Sequence, residues 1–171
     1  MNKVLTRWNS LDSAAAVREV LPCCGSKAWA SALASRRPIA DKISLFETSS
    51  AIWSDLPKED WQEAFDSHPR IGQRHAQTNA TEESLEWSAQ EQLTALAEDN
   101  KTKLALEEAN RRYEQKFGQI FIVCAAGKSS AEILAILEAR MKNDAIAELR
   151  EAAEQQRQIT QLRLLRWLES E

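Results

Sequence analysis

Four glycines and four prolines in 171 residues limit this chain more than any other feature. Sheet-rich folds need frequent turns, and Gly and Pro supply most of them. Here they are scarce, while Ala, Glu, Leu, Gln and Arg, all good helix formers, are abundant. The sequence therefore predicts an all-α fold: a single compact helical-bundle domain of about eight helices spanning residues 1–171. It shows no internal repeat and no low-complexity linker. A chain this long is one domain by default and removes roughly 70% of its unfolded surface from water on folding.

Composition narrows the partners. Hydrophobic residues make up 43% and charged residues 28%, as in a globular protein, which argues against disorder. The net charge is −4, so broad electrostatic binding to nucleic acid or an anionic membrane is not expected. No stretch approaches the roughly 20 apolar residues of a membrane span. The first residues lack the pattern of a secretory signal, and the last lack a peroxisomal tripeptide. Cys23, Cys24 and Cys124 form a poor disulfide framework and a poor zinc site. The expectation is a cytoplasmic protein.

Local signals place the helices. Residues about 10–21 read as a helix ending before Pro22, and about 26–36 as one stopped before Pro38. A third covers about 40–54. Pro57 opens a fourth, with Glu59 and Asp60 in its first turn where the helix dipole favours acids. It ends near His68, because Pro69 disfavours a helical residue before it. Residues 69–80 look irregular. A fifth helix, about 81–98, repeats Leu85, Ala89, Leu93 and Leu96 at helical spacing. A sixth, about 101–117, puts Leu106, Ala109, Tyr113 and Phe117 on one face, and Gly118 stops it. The apolar run 120–126 has no pairing partner, so it is expected as an extended connector or a helix start. Ser129 and Glu132 form a capping box for a helix to about 141. Asn143 is placed to cap a last helix to about 168. The six tryptophans read as core or interface anchors, and Cys124 as a small buried hydrophobe.

Three groups of polar residues fit this scheme badly. His68 precedes Pro69 and is pushed out of its helix. It is either a surface imidazole in a turn or an acid–base group aimed into a cleft. His68 and His75 could bind a metal, but no carboxylate sits at a ligand spacing. Ser88, Glu91 and Gln92 neighbour each other at i, i+3 and i+4. Gln92 falls inside the apolar sector of Leu85, Ala89 and Leu96, with Ser88 at its margin. A buried Gln needs a partner, so this is either a core Gln bonded to backbone or a polar wall for a small ligand. Arg163, with Arg166, lies in an apolar sector of the last helix. It either snorkels or clamps a carboxylate, which a guanidinium fits well.

Taken in order, these segments resemble a known family, the 2-oxo-4-hydroxy-4-carboxy-5-ureidoimidazoline (OHCU) decarboxylases. His68-Pro69-Arg70-Ile71-Gly72 is similar to the family's His-Pro-x-[Ile/Leu]-Gly motif, and Ser88-Ala89-Gln90-Glu91-Gln92 to its Ser-x-x-Glu-Gln motif. The run from Asn110 through Tyr113, Lys116, Phe117 and Gly118 resembles its Asn-x-x-Tyr-x-x-[Lys/Arg]-Phe-Gly signature. Residues 159–164 resemble its closing Arg-Leu segment. Cys24-Gly25-Ser26, Trp29 and Arg37-Pro38 resemble its N-terminal part. The likeness covers nearly the whole chain, and its specificity lies in the combination.

The resemblance implies an all-helical, cofactor-independent homodimer without metal that decarboxylates OHCU to (S)-allantoin, the last step of urate degradation. It implies His68 as the proton donor and Glu91 as its acidic partner across the substrate. It implies Pro69, Ser88, Gln92, Arg163 and backbone groups of Ile122, Val123, Cys124, Ala125 and Ala126 as substrate contacts. Two other readings stay open: a non-enzymatic helical ligand-binding protein, and a decarboxylase of a related ureido or ring-carboxylate compound.

Overall fold

The computed structural model describes residues 2–72, 80–93 and 100–170. Nine α-helices lie within the described residues, which contain no strand. They are α1 (Lys3–Ser10), α2 (Ser13–Cys24), α3 (Lys27–Ser35), α4 (Lys42–Asp55), α5 (Lys58–Asp66), α6 (Glu82–Glu91), α7 (Asn100–Phe117), α8 (Ser130–Arg140) and α9 (Ala145–Leu168). The all-α prediction of about eight helices holds among the described residues. No helix of the described residues is long and apolar enough to cross a membrane.

The chain divides into two compact units: residues 1–64 with 157–171, and residues 65–156. In the first, α1 to α4 each open on a polar cap. Asn2, Asp12, Ser26 and Asp41 accept from Leu5, Ala15, Trp29 and Ser44 backbone N–H groups. Trp8 and Trp29 are fully buried. Their indole N–H groups donate to the Ala16 and Ser49 carbonyls, so neither ring buries an unpaired polar atom. Trp167 meets Trp8 edge-on, with ring centroids 5.7 Å apart.

The second unit packs α7 and α8 around a core that includes Leu106, Tyr113, Phe121, Val123, Ile133 and Leu137. Residues 120–125 form neither helix nor turn. Phe121, Val123 and Ala125 enter that core by two-residue alternation. Side chains serve the backbone of this lone segment. Arg140 Nη1 donates to the Ile122 carbonyl at 2.7 Å, Cys124 N–H to Gln155 Oε1 at 2.9 Å, and Lys128 Nζ to the Cys124 carbonyl at 2.7 Å. An unpaired backbone segment needs such partners when buried. The connector expectation holds.

Arg140 is itself buried, and Nε and Nη2 bind Glu148 Oε1 at 2.9 and 2.5 Å. Tyr113 Oη donates to the same oxygen, and Asn143 Nδ2 to Oε2 at 2.9 Å. Burial, followed by this bond to Glu148, holds the Tyr113 phenol far above its usual range.

Four local readings need correction. Helix α2 runs through Pro22, and it ends at Gly25, which adopts φ +87°. Pro22 removes one helical bond near the end, and the buried Pro22, Cys23 and Cys24 offset that loss by packing. The sequence reading also had no helix over Lys3–Ser10. Helix α6 stops at Glu91 with Gln92 as its cap, short of the predicted 98; residues 94–99 lie outside the described residues. Asn143 does not cap α9. Asp144 does, accepting from the Ile146 and Ala147 N–H groups.

Candidate active site

The His68 turn follows from Pro69. Helix α5 ends at Asp66, and His68 N–H donates to the Phe65 carbonyl at 3.0 Å, closing the last turn. His68 and Pro69 are both buried. The imidazole is thus not a surface group in a turn. Its Nε2 lies 2.7 Å from Gln156 Oε1 of α9. His75 lies outside the described residues, and with it the His68–His75 metal pair. Among the described residues, no three His, Cys, Asp or Glu side chains gather as a metal site would require.

Helix α6 departs in part from the expected sidedness. Its buried residues are Ser84, Ser88 and Glu91, joined by Gln92 at the cap. Of the predicted stripe of Leu85, Ala89, Leu93 and Leu96, Leu85 is half-buried, Ala89 is exposed, Leu93 is 63% exposed, and Leu96 lies outside the described residues. A surface helix normally buries its apolar face. This one buries hydroxyls, a carboxylate and an amide, which burial alone does not reward. Local bonds compensate part of the cost. Ser88 Oγ donates to the Ser84 carbonyl at 3.0 Å. Gln92 Oε1 accepts the Gly72 N–H at 2.8 Å, so the Gln of the second motif ties down the Gly of the first. Gly72 itself has φ +87°, a conformation that other residues rarely adopt.

Helix α9 anchors two of the predicted segments at adjacent residues, Gln155 to Cys124 and Gln156 to His68. Of the backbone groups predicted to line the site, Ile122 C=O and Cys124 N–H and C=O are bonded to side chains of their own unit. Ile122, Val123 and Ala125 are buried, while Cys124 and Ala126 are half-buried. The full burial expected of Cys124 does not hold.

Arg163 belongs to the other unit. It is fully buried, which excludes snorkelling, and Nη1 donates to the Pro22 carbonyl at 3.3 Å. Arg166 is only half-buried. In the same unit, burial pushes the Cys24 thiol up to about 12.

A cavity of about 340 Å³ opens among Arg70, Ile71, Glu107, Asn110, Arg111 and Glu114. It contains none of the predicted site residues, and both its arginines pair with glutamates. Arg70 holds Glu114 bidentately at 2.5 and 2.8 Å, and Arg111 holds Glu108.

The sequence reading passed over Gln155, Gln156, Arg140 and Glu148. Gln156 had a usable signal. It falls between Ala152, Ala153 and Ile159 in the buried stripe of α9, and a Gln there needs a partner for the reason that singled out Gln92.

Comparison with known proteins shows the family of the chain. The OHCU decarboxylase family profile matches residues 9–165. The uric acid degradation bifunctional protein TTL of Arabidopsis thaliana is 36% identical over 143 residues, 83% of this chain; the chain spans 44% of that protein's length. The 2-oxo-4-hydroxy-4-carboxy-5-ureidoimidazoline decarboxylase of Amia calva is 31% identical, with 79% of this chain and 77% of that one covered. A crystal structure of OHCU decarboxylase in the presence of (S)-allantoin superposes with a TM-score of 0.76 at 35% identity, covering 88% of this chain and 97% of that one. With its helical fold and its buried His-Pro and Ser-x-x-Glu-Gln motifs, the chain belongs to the OHCU decarboxylase family.

Proposed function

We propose that this chain decarboxylates 2-oxo-4-hydroxy-4-carboxy-5-ureidoimidazoline to (S)-allantoin, the last step of urate degradation. The observation that carries this reading is the inward polar face of α6, tied through Gln92 to the turn that bears His68. A fold stabilised only by packing gains little from burying Ser88, Glu91 and Gln92 on one side of a short helix.

The chemistry needs no external electron sink. The reacting carbon carries both hydroxyl and carboxylate and adjoins a C=N carbon that bears the ureido group. When the carbon–carboxylate bond breaks, CO2 leaves and its electron pair moves toward the C=N unit. A proton then adds to the ureido-bearing carbon, while the hydroxyl gives up its own proton to become the ring carbonyl and the nitrogen of the former C=N unit takes one up to become N–H. The face that receives the proton fixes the (S) configuration.

In this reading, His68 delivers that proton and Glu91 orients the substrate hydroxyl. Pro69, Ser88, Gln92 and backbone groups of residues 122–126 hold the ring amides. Arg163 contacts the substrate carboxylate. Interactions that tighten as CO2 leaves accelerate the step, whereas uniform binding does not. The chain works as one catalytic domain, a homodimer of the cytoplasm without affinity for nucleic acid. Three cysteines outside any disulfide, two of them buried, suit a reducing compartment.

The test generates the unstable substrate with urate oxidase and 5-hydroxyisourate hydrolase and follows circular dichroism at the allantoin band. Added protein should raise the optical signal well above the spontaneous, racemic background. Folded protein that leaves the signal unchanged would overturn the proposal.

A further inference from the structure

Gln156 is fully buried, and its side-chain oxygen faces the Nε2 of His68 at 2.7 Å. An amide oxygen offers lone pairs and no hydrogen, so the ring nitrogen facing it must carry one. We propose that Gln156 is a positioning residue that fixes neutral His68 as the Nε2–H tautomer, so that proton exchange during catalysis takes place at Nδ1. The inference rests on His68 being the acid of the proposed reaction.

The surrounding helix gives Gln156 the rigidity this role needs. It sits in the middle of the 24-residue helix α9. Its neighbour Gln155 projects about 100° away around the axis. There its Oε1 accepts the Cys124 N–H, and its Nε2 donates to Glu151 Oε1 one turn back at 3.0 Å. One turn of α9 thus anchors both the imidazole and the segment 120–125. His68 is held from its other side by chain constraints: Pro69 follows it, and its N–H closes the turn onto Phe65. A ring so held has one plane and one tautomer, which is what an acid–base group oriented by a third residue requires. The amide also does this without placing a charge beside the ring.

The chain has only two histidines, so ring-nitrogen NMR on the full-length, ¹⁵N-labelled protein reads His68 directly, with His75→Gln to assign the signals. At a pH where the ring is neutral, the wild type should show Nε2 as the protonated, pyrrole-type nitrogen and Nδ1 as the pyridine-type one. Gln156→Met keeps the length and removes the acceptor; it should give a mixture of tautomers and lower kcat about tenfold to a hundredfold, with KM little changed. Gln156→Glu restores an acceptor and should restore the Nε2–H signature. A wild-type Nδ1–H tautomer, or an unchanged pattern in folded Gln156→Met, would overturn the assignment. If Gln156→Met does not fold, a pyridine-type Nε2 in the wild type or in Gln156→Glu overturns it equally. The NMR pattern does not depend on turnover. An inactive wild type with the expected tautomer would thus refute the proposed reaction while supporting the role of Gln156.

Discussion

At the scale of single residues, the structure separates groups that bind from groups that hold. Arg163 is buried and touches a backbone carbonyl, yet the proposed function asks it to bind the substrate carboxylate. Arg163→Lys keeps the charge and removes the planar fork. It should raise KM at least about tenfold, the equivalent of about 1.4 kcal/mol, while far-UV circular dichroism stays unchanged. Steady-state kinetics in the coupled assay decide this, and an unchanged KM would remove Arg163 from the binding set. Gln92 is expected to do both jobs. Gln92→Ala frees the Gly72 N–H and should cost about 1 kcal/mol of stability, read from urea unfolding, together with most of the activity.

At the scale of elements, what was legible depended on whether the deciding signal was local. The capping box of α8 was readable because Ser129 and Glu132 lie three residues apart, and both bonds are present. Ser129→Ala should therefore cost about 1 kcal/mol by urea denaturation. The end of α7 at Gly118 and the turn at Pro69 were readable for the same reason. The end of α2 was not, because Pro22 is outvoted by the buried residues that follow it. The sidedness of α6 was misread in part since hydrophobic periodicity assumes that apolar residues seek the core. The candidate site is the place where that assumption fails. Ser88, Glu91 and Gln92 were found through spacing and family resemblance, but Gln156 acts over 88 residues of sequence, and nothing local announces its partner. The Arg140–Glu148 pair was likewise invisible. It sits under the segment 120–125 and carries four hydrogen bonds to Glu148. Arg140→Met alone strands a buried carboxylate and should cost about 3–5 kcal/mol. The double change Arg140→Met with Glu148→Met should cost less than the two single losses added, as a double-mutant cycle on urea unfolding will show.

At the scale of the whole molecule, pH dependence follows from groups that the fold keeps neutral. The Cys24 thiol is raised from 9.0 to about 12, first by burial. A group whose folded value is raised contributes stability that is intact below its unfolded value and is lost as pH climbs through the folded one. Tyr113 shifts in the same direction, first by burial and then through Glu148. The melting temperature should therefore fall as pH rises above about 9. Cys24→Ala should show a shallower fall over that window, which thermal scans from pH 7 to 11 will test. The assembly is open to a direct check as well: a homodimer elutes with twice the 19.3 kDa mass of the chain in light scattering.

The central claim is that His68 and Glu91 perform stereospecific decarboxylation. It is tested most directly by following circular dichroism during decay of freshly generated substrate, with wild type, His68→Asn and Glu91→Gln compared at equal concentrations of folded protein. The account predicts a fast rise of the (S)-allantoin signal with the wild type. It predicts rates lowered by about 10²–10⁴-fold in each variant, the range general acid–base catalysis supplies. Wild-type rates in folded His68→Asn would contradict it.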